Sequence, residues 1–483
     1  MFSVDSALLI AFIVFASFSA VRWLIRQRRK CFDAFEGTGV PTVPLRSIVN
    51  GNSDEYWKPT VLQRLDRWLE EYGDVFGFFI GDTPMVVVKD VDMIHDIFIK
   101  NSSNFQSRGV MPSLLHAQQQ FIDVLGEHAD SGIEADINSL CERFTFDVIG
   151  KSAFGIDTNV QRNPEMPMFR AALDVLPNLN SGLFYNLGQN LYHWPWLLKI
   201  PAKLIAVLYT NPFADLTKRA SDVIRFRRKN PQVHLPDMAQ ILLDGLAIAE
   251  SSAEKNNKDQ VDNTAPLPPE TLNQLSSNCM TVFLGGYDTT RLAFTYWFYL
   301  MGKHQDVQEK MREEVISAFE KEGDVLSYQT LLTLPYTNQV ISETLRIYPP
   351  IITFTSRCPD KDYRYGKYLI KKGTSVMVPT YQLHHDPKYW DYPEKFVPER
   401  FSPENKDRIN PTVYQPFGLG HRICIGQRLA QVELASATTE VLRHYRIMLG
   451  ASQKKDLELD TYSYLAVPKE AVRIRLHRLS REK

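Results

Sequence analysis

Apolar residues recur at helical spacing along most of the chain. Over residues 59–72, Val61, Leu62, Leu65, Trp68 and Leu69 share one face, which predicts an amphipathic helix. Residues 75–80 and 85–88 are short apolar runs separated by Gly81-Asp82-Thr83-Pro84, a turn signal that predicts a hairpin. Helical spacing returns over residues 91–98, 113–125 and 137–154, the last closing near Gly155. A long helical periodicity starts at Leu272 and continues past Tyr299. Beyond it, short helices alternate with short strands such as residues 374–379, and a last apolar-periodic stretch runs to about Leu442. Residues 471–476 alternate apolar and basic side chains and read as an edge strand. Residues 250–268, rich in Ser, Asn, Lys, Asp and Pro, read as a surface loop. The pattern predicts a mainly α protein with small β-sheets.

The N-terminus has no such periodicity. Residues 7–25 are 19 positions, apolar apart from Ser17, Ser19 and Arg22. At a rise of about 1.5 Å per residue they nearly cross a hydrocarbon core of roughly 30 Å. Asp5 precedes them, whereas Arg26, Arg28, Arg29 and Lys30 follow, so the positive-inside bias places the body of the chain in the cytosol. A cleaved signal peptide is the competing reading, but it puts the basic cluster on the wrong side. The expected organisation is an anchor over residues 1–30, a proline-containing linker over 31–58 and one large domain over 59–483.

Composition narrows the function. With 44% hydrophobic and 23% charged residues, the chain can build a large core. A net charge of −1 gives no case for nucleic-acid binding. The five cysteines, Cys31, Cys141, Cys279, Cys358 and Cys424, lack paired spacing and read as reduced thiols facing the cytosol.

One cysteine stands in an unusual phrase: Phe417-Gly418-Leu419-Gly420-His421-Arg422-Ile423-Cys424-Ile425-Gly426. A lone cysteine before a helix reads first as a core residue. Here two glycines ahead of the thiol allow backbone conformations that other residues avoid. Arg422 adds positive charge, and the helix N-terminus beyond favours an anionic sulfur. Gly426 lets the helix approach something flat. Such a cradle suits one axial bond to haem iron. The spacing Phe-x-x-Gly-x-Arg-x-Cys-x-Gly resembles the haem-binding signature of the cytochrome P450 family, specifically its microsomal 3A-type and thromboxane-synthase-like group.

Other segments carry the same resemblance. Gly285-Gly286-Tyr287-Asp288-Thr289-Thr290 lies inside the long helical stretch, where two glycines, an acid and two β-branched residues oppose helix propensity. A bent helix with satisfied side chains is the plain reading. A threonine hydroxyl bonding back to a carbonyl can open such a helix and leave a groove for water. The segment resembles the family's oxygen-activation motif, by which Asp288 and Thr289 would supply the protons that let the O–O bond break. Glu343-Thr344-Leu345-Arg346 sets opposite charges at i and i+3, ordinarily an exposed pair of small effect. With Arg400 in Pro398-Glu399-Arg400-Phe401, it resembles a buried charge network that supports the cysteine loop. By the same resemblance Arg108, Arg357 and Arg422 would meet the haem propionates. Residues 191–208, strongly apolar, fit either a core helix or the family's membrane-dipping lid. His384-His385 resembles a structural turn of that group, not a second metal site.

The resemblance covers the chain from Pro59 onward, with one gap. Arg108 is followed at once by Gly109-Val110-Met111-Pro112, where the family has a long substrate loop and a helix with Trp-x-x-x-Arg. No tryptophan occurs between Trp68 and Trp194. The chain looks a few tens of residues short there, and an omitted exon accounts for it most simply.

The resemblance implies an endoplasmic-reticulum monooxygenase holding haem b through Cys424. It would insert one oxygen atom of O2 into an apolar small molecule. Electrons would come from NADPH through a flavoprotein reductase, with cytochrome b5 a further donor. Leu284, Ile351, Ile352 and Tyr464 are candidate substrate contacts by position. Two alternatives stay open: a haem-thiolate isomerase, against which the acid–threonine pair argues, and a haem-poor, catalytically impaired truncated form.

Overall fold

A computed structural model describes residues 29, 31–33, 35–47, 52, 61–73, 75–80, 83–88, 112–178, 212–235, 237–253, 266–352, 356–357, 361–365, 368–370, 376–453, 455–462 and 465–479. These fall into two compact units, Met1–Gln106 with Asn230–His234, and Ser107–Lys229 with Leu235–Lys483. In the first, helix α1 (Val61–Tyr72) accompanies the antiparallel pair β1 (Val75–Ile80) and β2 (Thr83–Val88). Trp68 lies 5.4 Å from the Phe78 ring and anchors a small cluster with Val43 and Phe76. The hairpin is as the sequence pattern predicts, with its second strand two residues longer at the start. The membrane-anchor segment, residues 91–98, Arg108 and the apolar stretch 191–208 lie outside the described residues. No described helix is long and apolar enough to cross a membrane.

The second unit is built from helices. They are α2 (Pro112–Ser131), α3 (Ile137–Phe154), α4 (Pro167–Asn178), α5 (Pro212–Lys229), α6 (Met238–Ala253), α7 (Pro269–Lys303), α8 (Gln305–Glu322), α9 (Tyr328–Thr333), α10 (Pro335–Ile347), α11 (Thr380–His384) and α12 (Gln427–His444). Helix α3 has the boundaries its periodicity predicts. Asp136 caps its start by accepting from the Ser139 N–H, and Gly155 ends it at φ 65°.

Helix α7 is the axis of this unit. Every residue from Thr290 to Gly302 is buried, so this half is apolar all round apart from a few polar side chains. Two cores meet on it. One joins α7 with α2, α8, α10 and α12; the other joins it with α3, α4, α5 and α6. The small sheets sit around this body. Among the described residues, β4 (Ser356–Arg357) pairs with β7 (Val376–Met377), β5 (Tyr363–Tyr365) with β6 (Tyr368–Ile370), and β9 (Leu459–Tyr462) with β10 (Leu465–Pro468). Within the expected strand at residues 374–379, the described part is extended-paired only at Val376–Met377.

The C-terminal strand corrects an expectation. Strand β11 (Arg473–Arg478) is not an edge strand but the middle of three, between β3 (Ala135–Asp136) and β8 (Tyr445–Leu449). Its alternation has another cause. Ile474 and Leu476 are buried in the core, while Arg475 and His477 face solvent from the open side of a central strand.

Candidate active site

The Cys424 loop is a turn closed on itself. Gly418 and Gly420 take φ of 78° and 74°, values a residue with a Cβ rarely adopts. Residues Gly420–Arg422 form one 3-10 turn, and the Cys424 N–H donates to the Phe417 carbonyl at 2.8 Å. Phe417 packs against the core and fixes the base of the turn. Helix α12 begins at Gln427, with Gly426 as its N-cap. A Cβ on Gly426 would lie 3.9 Å from the Cys424 Sγ, in ordinary contact, so this glycine stands directly beside the sulfur. Cys424 and Arg422 are exposed, as are Ile423 and Ile425. Cys141 and Cys279 are buried, whereas Cys424 is accessible. Burial pushes the Cys141 thiol well above its ordinary value and Cys279 up to about 12, so neither is an available thiolate.

The acid–threonine segment lies on α7 where its exposed face ends. Asn278, Thr281 and Gly285 are exposed, Thr289 is half-buried, and everything beyond is covered. A Cβ on Gly285 would meet nothing within 4 Å, so this face is open; one on Gly286 would strike Ile149 at 2.6 Å, so the neighbouring face is closed by α3. The Thr289 hydroxyl donates to the Gly285 carbonyl at 2.6 Å, the back-bond anticipated from sequence. Between those two residues, the Tyr287 carbonyl accepts from the Thr145 hydroxyl of α3 at 3.0 Å. An open glycine face on a buried helix, and an accessible thiol on a glycine turn, together fit a flat group held by one sulfur ligand.

Asp288 is buried and pairs with Arg291, whose Nε donates to its Oδ1 at 2.6 Å. Arg291 Nη1 also donates to Asn138 Oδ1 at 2.7 Å, and Glu142 Oε1 lies 3.7 Å from its Nε. Neither Arg291 nor Glu142 was singled out from sequence. The signal was present: an arginine just after Asp288-Thr289-Thr290, heading an apolar run, must find a partner once buried.

The charge network is not an exposed pair. Glu343 and Arg346 are both fully buried, with Arg346 Nε donating to Glu343 Oε2 at 2.7 Å and Nη2 to Oε1 at 2.8 Å. Arg346 donates further to the carbonyls of His384, Pro393 and Lys395, and its guanidinium lies 5.1 Å from the Trp390 ring. Arg400 Nε reaches Glu343 Oε1 at 3.2 Å, and the Val397 N–H donates to the same oxygen. His384 Nε2 accepts from the Gln415 N–H two residues before Phe417, so the network abuts the base of the cysteine turn. Burial and Arg346 pull His384 down to about 3, leaving a neutral ring with a structural task. No cluster of metal-ligating side chains occurs among the described residues.

Of the remaining candidates, Leu284 is buried, and Ile351 and Ile352 are half-buried. Ile351 forms an isolated bridge to Leu465. Arg357 is in β4, described at backbone level. Tyr464 and Arg108 lie outside the described residues. A further buried carboxylate, Glu433 on α12, has no hydrogen-bond partner at Oε1, and burial raises it well above the ordinary value.

These features define a helical scaffold around one thiol and one acid–threonine pair, and comparison with known proteins states the class. The cytochrome P450 family profile matches residues 41–122 and 115–474. Cytochrome P450 3A6 of Oryctolagus cuniculus is 28% identical over 443 residues, covering 83% of this chain and 85% of its own. Cytochrome P450 3A41 of Mus musculus is 26% identical over 492, covering 93% of each. Cytochrome P450 9e2 of Blattella germanica is 34% identical over 322, covering 65% of this chain and 58% of its own. The chain belongs to the cytochrome P450 family, and by that membership it is a haem-thiolate monooxygenase.

The comparison also bears on length. Since 93% of 483 residues is about 449, about 43 of the 492 positions aligned with the mouse protein lie opposite no residue of this chain. The two profile matches overlap at residues 115–122, a few residues past Arg108.

Proposed function

We propose that the chain inserts one oxygen atom of dioxygen into an apolar small molecule, taking electrons from NADPH through a flavoprotein reductase, with cytochrome b5 as a second donor. The observation that carries this is the closed Cys424 turn with its accessible thiol. Haem b supplies the oxygen chemistry when bound, with Cys424 as its sulfur ligand. Arg422, Arg357 and Arg108 pair with its propionates, and Gly426 leaves room at the sulfur. Thr289, at the edge of the open face of α7, and Asp288, on the side buried against α3, deliver protons to the site. The Glu343–Arg346–Arg400 network braces the cysteine turn. Leu284, Ile351, Ile352 and Tyr464 line the apolar side. Residues 7–25 anchor the chain in the endoplasmic-reticulum membrane, with the catalytic body in the cytosol.

The length comparison favours a second reading beside the first. A form lacking a Trp-x-x-x-Arg helix loses two propionate donors, each charge-assisted bond contributing about 1.5–3 kcal/mol. Such a chain retains haem poorly and turns over slowly. One experiment separates the readings: the carbon monoxide difference spectrum of the reduced full-length protein, with haem quantified per chain. Full loading with a thiolate-type band, lost in Cys424→Ser, supports the competent monooxygenase. Loading well below stoichiometric supports the impaired form. A loaded protein whose band survives Cys424→Ser rejects the ligand assignment.

A further inference from the structure

The contact between α3 and α7 is apolar except along one seam. Asn138, Glu142 and Thr145 lie at i, i+4 and i+7 on α3 and so share a face. Across from them stand Asp288, Arg291 and Thr295 of α7. Asn138 Oδ1 accepts from Arg291 Nη1 at 2.7 Å and from the Thr295 hydroxyl at 3.3 Å. Arg291 is clasped by Asp288, with Glu142 at 3.7 Å on the other side. Two carboxylates thus share one guanidinium inside a helix–helix interface.

The two acids differ in access. The Asp288 side chain is 2% exposed, and that of Glu142 is 18% exposed. Glu142 is the acid at which the seam meets water. Arginine does not release its proton at ordinary pH, so any proton that enters resides on a carboxylate.

We propose that Glu142 is the solvent-side proton-loading group of the Asp288–Thr289 pair, and that Arg291, as a positioning residue, couples the two carboxylates by dividing its charge between them. With Glu142 ionised, it competes for Arg291 and loosens the clasp on Asp288. With Glu142 protonated, Arg291 belongs to Asp288 alone. The seam as a whole takes up one proton, and water carries it; no bond other than O–H is made or broken. This rests on the monooxygenase reading for its purpose, but not for its test.

Electrostatics agree with the geometry. Burial pushes Glu142 up to about 7, Arg291 opposes that rise, and Asp288, then Asp136, add to it, with Arg143 opposing. These are the charges that act on it from its own helix, from β3 and from α7. Glu433 is also raised, but by burial alone, and it lies on another helix.

The test is infrared difference spectroscopy of the full-length protein between about pH 6 and pH 8, where a protonated buried carboxyl gives a resolved carbonyl stretch. It needs no haem, so failed loading does not affect it. One carbonyl band should appear on acidification and vanish in Glu142→Gln, a near-isosteric change at a partly exposed side chain. In Asp288→Asn the midpoint of that band should fall by about one pH unit, the size expected of strongly coupled sites. In Arg291→Lys, which keeps the charge but loses the fork, the band should persist with a shifted midpoint. A pH-dependent band that survives Glu142→Gln, the absence of any such band in the parent, or a midpoint indifferent to Asp288→Asn would each overturn the proposal. A Glu142→Gln protein with a melting temperature no lower than the parent's and no band confirms that the signal belongs to Glu142 and not to altered folding.

Discussion

Two buried acid–arginine pairs in this molecule have the same spacing and different characters. Glu343–Arg346 and Asp288–Arg291 are both i,i+3 pairs on helices, and both are nearly inaccessible. Around Arg346 the other acceptors are main-chain carbonyls, from His384, Pro393 and Lys395. Around Arg291 the neighbours include side chains, Asn138 and Glu142, both partly exposed. Main-chain acceptors cannot titrate or turn away, so the first pair is a lock that ties α10 to the segment leading into the cysteine turn. Side-chain acceptors can do both, so the second pair is adjustable. Burial alone does not make a charge pair structural; what closes its remaining valences does.

The largest effect that checks this contrast comes from changing each arginine to lysine. Arg346→Lys loses the bidentate grip on Glu343 and at least one carbonyl, since an ammonium is a point charge without the planar fork. At about 1.5–3 kcal/mol per charge-assisted bond, it should cost roughly 3–5 kcal/mol. Arg291→Lys can still reach Asp288 one turn away and should cost about 1–2 kcal/mol. Urea midpoints of the two variants decide it, and equal losses break the comparison.

A third buried carboxylate shows what happens with neither kind of closure. Glu433 is 3% exposed, and its Oε1 has no partner. Its folded value is raised by desolvation, so its effect has a definite sign. Below the unfolded value, near pH 4.5, both states carry the proton and stability is full. As pH rises, the unfolded carboxyl ionises first, and stability is lost until the folded value is reached. Glu433→Met removes that loss and an unpaired buried polar group, and should gain about 1–2 kcal/mol at neutral pH. The gain should shrink toward pH 4. Glu142 produces the same sign over a narrower window, with stability falling as pH rises from the unfolded range to about 7. A Glu433→Met advantage that is flat with pH shows that the carboxyl finds a partner in solution.

The sequence was informative where chemistry demands several residue types at fixed spacing. The Cys424 turn, the acid–threonine segment and the Glu343–Arg346–Arg400 set could all be located before any fold was known. Burial of the last could not, because an i,i+3 pair looks the same on a surface. Nor could the partners of Arg291, since Glu142 lies about 150 residues upstream and only the α3–α7 packing joins them. The position of β11 was misread for a similar reason. Its neighbour β3 is a two-residue strand formed where the chain turns into α3, too short to leave any pattern.

The smallest effect distinguishes the two pairs most sharply. Asn138→Ala deletes one acceptor of Arg291 and one of Thr295, while Thr295 keeps its bond to the Arg291 carbonyl at 2.9 Å. The stability loss should be about 1 kcal/mol, less than the roughly 1.5–3 kcal/mol of a fully buried charge-assisted bond, because Asn138 is half-buried and water can take its place. The freed guanidinium arm should also turn toward Glu142 and lower the pH at which Glu142 takes its proton. No equivalent deletion exists at Arg346, because its extra acceptors belong to the backbone and survive any side-chain substitution. Thermal melts with the infrared midpoint read both quantities from one variant. A stability loss without a midpoint shift leaves Asn138 as a brace only, and removes the case for treating the seam as one coupled unit.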